Sequence, residues 1–273
     1  LKFIGDPYDD LNFPIVKKNL ELDYLRFNLL FNNFLKLHQS EFDLVLLRNL
    51  LPELNSTKNP LIHNNNYLKS NFNYFLKIDN GDIYSKDKNI KKNSESYRKT
   101  KSLKKRGEIF YAFNDRKNTS DIINFVIENK NKQFRKKKRK NIFYFKQNIQ
   151  FIKNIHKIES SCFSYLMLDK MIIGAHIGYI YKDTFYHIMP THDVSLNKYS
   201  PGYLLLENML NNSLNLDEIN SFNFTIGSEN YKKKWSNSEN YLYSIIRPTN
   251  FKSFFYSLYL KVKYKFIFRY KLK

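Results

Sequence analysis

Three short stretches in the second half of the chain carry side chains able to do chemistry together. Asn197-Lys-Tyr-Ser200-Pro201-Gly202-Tyr203 puts small residues and a proline where a loop turns into a helix. Backbone N–H groups at the opening of a helix, at the positive end of its dipole, suit a phosphate or another anion. Pro201 presets φ for the first turn and Gly202 lets backbone approach a ligand closely, although Ser-Pro is also an ordinary helix start. Gly227-Ser-Glu229-Asn-Tyr231-Lys232-Lys-Lys-Trp235 supplies a phenol, protonated at neutral pH and able to donate a proton. Lys232 and Trp235 fall three apart on one helical face, where the lysine can meet an anionic substrate and the tryptophan can wall a pocket. Gly227 permits the turn that precedes them. His187, with His192-Asp193 beyond it, titrates in the range useful to a general base; Glu229 is the second candidate, and solvent can replace either. Core packing is the alternative for Tyr231, Trp235 and His187, and plain solvation for Glu229. His187, His192 and Asp193 have no zinc-ligand spacing and the single cysteine, Cys162, offers no thiolate cluster, so no metal is expected.

The elements that must position these residues follow from period and punctuation. Ile15, Leu22, Leu25, Leu29, Phe31 and Phe34 recur at intervals near three and four, which predicts an amphipathic helix over 14–37. Residues 42–47 read as a buried strand, 55–66 as a polar loop and 72–78 as a strand. A basic helix over about 82–105 stops at Gly107, with Lys104, Lys105 and Arg106 at its negative end. After Gly107 come a strand over 108–113, a helix from Thr119 or Ser120 to Phe134, the charge run 135–140 and a helix over 142–158. Strands over 161–168 and 171–181 join at Asp169-Lys170 as a tight hairpin, and a third strand covers 184–189. A helix over 203–214, a strand over 222–226, a short helix over 228–235, a strand over 241–247 and a basic, aromatic helix from Phe251 complete the order.

Composition sets few limits. With 273 residues, 42% of them hydrophobic, the chain can bury a core, so a folded enzyme is allowed. The formal charge of +21 suits polyanions. However, Lys, Asn, Ile, Phe and Tyr are all abundant while alanine occurs only as Ala112 and Ala175, a pattern that AT-rich codons produce without any charged partner. A lone cysteine and the lack of a leader pattern fit a reducing, cytoplasmic setting. The start at Leu1 instead of Met is read as the start of a fragment.

Tyr199-Ser-Pro-Gly-Tyr-Leu-Leu-Leu206, followed by Phe222-Asn-Phe-Thr-Ile-Gly-Ser-Glu-Asn-Tyr-Lys-Lys-Lys-Trp235, resembles the paired signature of acetyltransferases from bacterial cellulose-biosynthesis and exopolysaccharide loci. These belong to the GNAT superfamily and are related to Fem-type aminoacyl transferases. Leu1 to Pro14, Leu46 to Pro52 and Leu103-Lys-Lys-Arg-Gly107 resemble the upstream region of that family. The resemblance implies an α/β GNAT fold, a mixed sheet flanked by helices, with an intact domain at 107–246, a partial, truncated GNAT-like unit at 1–100 and a separate C-terminal helix at 250–273. It implies transfer of an acyl group from acyl-CoA, acetyl-CoA first, to an amine in cell-envelope or exopolysaccharide biosynthesis. Asn197, Ser200, Pro201, Gly202 and Tyr203 would then hold the cofactor, Tyr231 would protonate the departing thiolate, and Gly227, Lys232 and Trp235 would border the substrate. Asn223 and Ser228 depart from acidic positions of the family. Other readings are a Fem-type transferase using aminoacyl-tRNA, a binder of nucleic acid or an anionic surface through 135–140 and 98–106, and a GNAT scaffold without catalysis. The basic C-terminal helix suits peripheral contact with the inner face of an anionic membrane.

Overall fold

Asp23 opens the first helix, its carboxylate accepting the N–H of Arg26 at 3.0 Å and so satisfying one of the donors that every helix start leaves over. That helix is α1 (Tyr24–Leu37), in a computed structural model that describes residues 1–3, 10–15, 23–54, 57–62, 67–78, 94–138 and 141–272. The chain continues through β1 (Leu44–Leu50), β2 (Glu53–Leu54), β3 (Thr57–Lys58) and β4 (Tyr67–Lys77). Then come α2 (Ser94–Lys104), β5 (Ile109–Ala112), α3 (Thr119–Lys136), α4 (Lys146–Asn154), β6 (Ser161–Leu168), β7 (Met171–Tyr181), β8 (Thr184–His192), α5 (Pro201–Leu214) and β9 (Ser221–Ile226). Last are α6 (Asn230–Trp235), β10 (Ser238–Pro248) and α7 (Phe251–Leu272). From β5 to β10 this is the strand, helix, helix, three strands, helix, strand, helix, strand order expected from the sequence. The helix expected over 142–158 is α4 with a 3-10 turn at each end, because Phe145 is extended and breaks the helical hydrogen bonding. Residues 16–22 of the first expected helix and 82–93 of the basic one lie outside the described residues.

Contacts group the chain into two compact units, Leu1–Phe75 with Thr225–Lys273, and Leu76–Phe224. The sequence reading instead set its divisions near 100–107 and 246–250. The reason for the difference is β10, which pairs antiparallel with β1 on one edge, as at Ile245↔Leu47, and with β4 on the other, as at Ile245↔Tyr67. A strand with both edges occupied by the first 75 residues cannot belong to a unit that excludes them. In this unit Leu35 of α1 packs with Val45, Leu47, Leu50 and Ile245, and Phe27 and Phe31 pack against that cluster.

The other unit holds a mixed sheet in the order β9-β8-β7-β6-β5, antiparallel throughout except for the parallel pair β8/β9. β6 is buried at nearly every position, as a strand covered on both faces must be. Ile122, Ile123 and Val126 of α3 and Ile152 of α4 cover Ala175 and Ile177 of β7 on one face. The alternate residue, Gly174, faces α5: a Cβ there would lie 3.5 Å from Pro201 O and 3.6 Å from Leu205. The β6–β7 hairpin turns at Asp169 with φ 53°, and Asp169 Oδ1 accepts the N–H of Glu108 at 2.8 Å. Gly107 is needed here because a Cβ would come within 2.3 Å of that carboxylate. Its role is this close approach, beyond ending the basic helix.

Candidate active site

The parallel pairing of β8 with β9 is short. Thr184, Phe185 and Tyr186 face Ser221, Phe222 and Asn223, and there the ladder stops, although β8 continues to His192. Asp183 starts the pairing, its carbonyl accepting the N–H groups of Asn220 and Ser221 at 2.8 and 3.1 Å. On its other edge β8 stays bonded to β7 as far as His192↔Gly174. Past the end of that ladder, the backbone of 187–192 on the side away from β7 is able to bond an extended chain carrying amides. Asn223, where the family pattern has a carboxylate, occupies the last paired position.

Beyond β8 the chain makes the head of α5. Asp193 accepts the N–H of Ser195 at 2.8 Å and starts a 3-10 turn, Val194–Tyr199. The turn ends at Ser200 in the left-handed region, φ 53° and ψ 50°, a conformation that costs a non-glycine residue energy and marks a place where the local backbone path matters. Pro201 then occupies the first turn of α5, and Tyr203 and Leu204 donate to Ser200 O at 3.0 and 3.1 Å. Gly202 sits against an imidazole, since a Cβ there would lie 2.9 Å from His192 Nδ1. The other ring nitrogen of His192 is 2.8 Å from Asn197 Oδ1. Asn197, Ser200, Pro201, Gly202 and Tyr203 thus line the turn at the head of α5, with His192 in contact with Gly202 and Asn197.

Cations from a distant stretch of sequence surround this head. Lys99 Nζ of α2 donates to Lys198 O at 2.6 Å, and Arg106 donates to the Tyr199 hydroxyl at 3.2 Å. Arg106 in turn holds the Tyr199 phenol below its ordinary range, with Lys198 adding to the effect. Ser96 on α2 donates to the buried Glu207 on α5, which fixes the two helices to each other. By sequence alone the cations near 98–106 read as a helix end or a polyanion site. Their joining to residues 198–199 depends on packing across about a hundred residues, which no local pattern shows.

His187 lies on β8 at the point where the ladder ends, and its ring is buried. It stacks on His176 with ring centroids 4.8 Å apart and planes 7° from parallel, beside Phe222 and Phe224. His176 is wholly buried and no hydrogen-bond partner meets either of its ring nitrogens among the described residues. Burial, helped by the charge of Lys130, depresses its pKa to about 3, so the ring stays neutral.

Gly227, Glu229, Tyr231, Lys232 and Trp235 belong to the other unit, where they form a turn leading into α6. Gly227 has φ +128°, and a Cβ would collide with Glu229 Oε2 at 2.1 Å. Lys232 is buried, its ammonium donating to Ile226 O and lying 3.3 Å from Glu229 Oε2. Its contacts close the strand-to-helix turn. Tyr231 is half-buried, and burial, then the Glu229 charge, pushes its phenol above the ordinary value and keeps it protonated. Trp235 is half-buried, with Lys234 Nζ 6.0 Å from its ring. Among the described residues no three His, Cys, Asp or Glu side chains gather as metal ligands.

Comparison with known proteins agrees with this architecture. The C-terminal domain of a protein assigned as a lysylphosphatidylglycerol synthetase from Agrobacterium fabrum superposes with a TM-score of 0.56 at 12% identity, over 86% of this chain and 77% of that one. FemX gives 0.53 at 8% identity, over 82% and 77%. The L-PGS of Bacillus licheniformis gives 0.53 at 10%, over 89% and 79%. At such identities these likenesses concern the fold. No curated protein matches the sequence. A sequence model described as an acetyltransferase (GNAT) domain matches residues 91–233, just over half of the chain, from α2 through α5 to the second lysine of α6. The chain belongs to the GNAT acetyltransferase domain family.

Proposed function

We propose that the protein transfers an acyl group from acyl-CoA to an amine. The observation that carries this reading is the early end of the β8/β9 ladder at Tyr186 and Asn223, in the same unit as a helix head ringed by Lys99, Arg106 and Lys198. The backbone edge of β8 suits the amides of a pantetheine arm, and the head of α5 suits its pyrophosphate through the positive end of the helix dipole and nearby cations. In the reaction the amine nitrogen bonds to the thioester carbonyl carbon, the C–S bond breaks and the thiolate leaves. The family resemblance assigns Tyr231 as the proton donor to that thiolate, and its phenol carries a proton at neutral pH. Glu229 and solvent are the acceptors that the sequence names for the proton lost by the amine, since His187 is enclosed in its aromatic stack. The family resemblance directs the acceptor search to amines of the cell envelope or exopolysaccharides.

A second reading is favoured by the basic surface of α2, with Arg98, Lys99, Lys101 and Lys104 on one short helix. Such a strip suits a polynucleotide, and so an aminoacyl-tRNA donor of the Fem type. Isothermal titration with acetyl-CoA and, separately, with charged tRNA distinguishes the two. Saturable binding of acetyl-CoA with formation of acylated amine supports the first reading. Retention of charged tRNA with indifference to acetyl-CoA removes it in favour of the second.

A further inference from the structure

Helix α7 is held to its own unit by a narrow stripe. Ser253, Ser257, Leu260 and Phe268 are its buried residues, and Phe268 stacks on Phe72 at 5.1 Å and meets Tyr241 edge-on at 5.9 Å. Two of those four anchors are serines. The large side chains point outward instead: Phe251 is 78% exposed, Phe255 60%, Val262 60% and Phe266 72%, with Leu258 and Tyr259 also exposed. An apolar surface of this extent on one element is far from the scattered single residues of an ordinary surface. Lys252, Lys261, Lys263, Lys265 and Arg269 are interleaved with these rings, and no Asp or Glu occurs anywhere in Phe251–Leu272.

Helix α1, in the same unit, repeats the pattern. Leu25, Leu29, Leu30 and Leu37 are exposed on a helix whose charged residues are Arg26 and Lys36. Neither helix crosses a bilayer, since no helix among the described residues is long and apolar enough. Exposed rings alone would suit a second protein chain, which covers one stripe of a helix. Rings interleaved with cations, without a carboxylate, suit an interfacial layer that receives the outward rings on one side while the cations snorkel to anionic headgroups.

We propose that α7 docks this protein on a lipid surface bearing anionic headgroups, lying in the interface with its outward rings among the acyl chains. The test is cosedimentation of the full chain with vesicles of mixed phosphatidylglycerol and phosphatidylcholine, against vesicles of phosphatidylcholine alone. Partition onto the anionic vesicles is expected to be at least about tenfold stronger and to fall with added salt. Two double variants sharpen it, Lys263→Glu with Lys265→Glu and Phe255→Ser with Phe266→Ser. Each changes exposed side chains, so each should keep the wild-type melting temperature while losing about tenfold or more of vesicle binding. Equal partition onto both vesicle types, or full binding by both variants, overturns the proposal. So does a discrete dimer broken by the phenylalanine changes with no vesicle association, which would assign the surface to a second copy. Salt-sensitive retention of RNA, lost with the two lysines while vesicles are ignored, would assign it to nucleic acid.

Discussion

The head of α5 and the turn before α6 both bring lysine close to a glycine-containing turn, yet they use the cation in opposite ways. At α6, Lys232 is buried and closed onto Ile226 O and Glu229. At α5, Lys198 and Arg106 are exposed and Lys99 half-buried, and they meet the loop through a carbonyl and a phenol, which leaves donor capacity on each ammonium and guanidinium. A buried, fully engaged cation maintains a backbone path, whereas cations gathered around a helix head can neutralise an arriving anion. The same residue type at similar spacing thus closes a turn in one region and keeps donor capacity in the other.

The largest effect that would sharpen this comparison is on turnover. Tyr231→Phe keeps the ring and removes the hydroxyl, and should lower kcat by about a hundred- to ten-thousandfold with little change in acyl-CoA affinity. Steady-state kinetics with an amine acceptor checks it, and near wild-type kcat would move the acid role to another group. Next, acetyl-CoA at a hundredfold over its Kd should stabilise the wild type by about 2.7 kcal/mol. Gly202→Val, which must displace His192, should abolish that shift in a thermal melt.

Lys232→Met should cost about 1–3 kcal/mol of stability by leaving the Ile226 carbonyl without its partner, read from the denaturant midpoint. Arg106→Gln should stay within about 0.5 kcal/mol of wild type and instead weaken acyl-CoA binding. If the two variants exchange behaviours, the contrast between the regions is wrong. A smaller, graded effect belongs to His176. Its native pKa of about 3 lies below the ordinary value of 6.5, so on acidification the unfolded chain takes up a proton that the folded one refuses. Its contribution to stability is therefore whole above about pH 6.5 and declines toward pH 3 by up to about 1.4 kcal/mol per unit. Denaturant midpoints at pH 7 and pH 5 should differ less for His176→Leu than for the wild type.

Much of the fold was legible because it rests on local pattern. The Asp169-Lys170 hairpin, the helix start near Thr119, the strands 161–168 and 171–181 and the helix start at Ser200-Pro201-Gly202 are all written within a few residues of themselves, although Asn118 and not Thr119 or Ser120 stands at the cap, with no side-chain bond. The head of α5 was readable for the same reason, since a turn and the helix start that follows it are written in adjacent residues. Strand β8 ran three residues beyond the expected 189, because its partner β7 carries the ladder on to Gly174, opposite His192.

What the sequence by itself determined is the order of elements and the backbone devices at their ends, because capping, turn conformation and amphipathic period act over fewer than about ten residues. Tertiary structure alone decided which side chains face one another. It placed β10 between β1 and β4, so that the two ends of the chain make one unit. It also set Lys99 and Arg106 on the loop at 198–199, enclosed His187 against His176, buried Lys232 and turned the rings of α7 outward. Each of these depends on contacts between residues far apart in the chain, and burial and partnership, which decide whether a charge or a ring binds or packs, exist only once those contacts form.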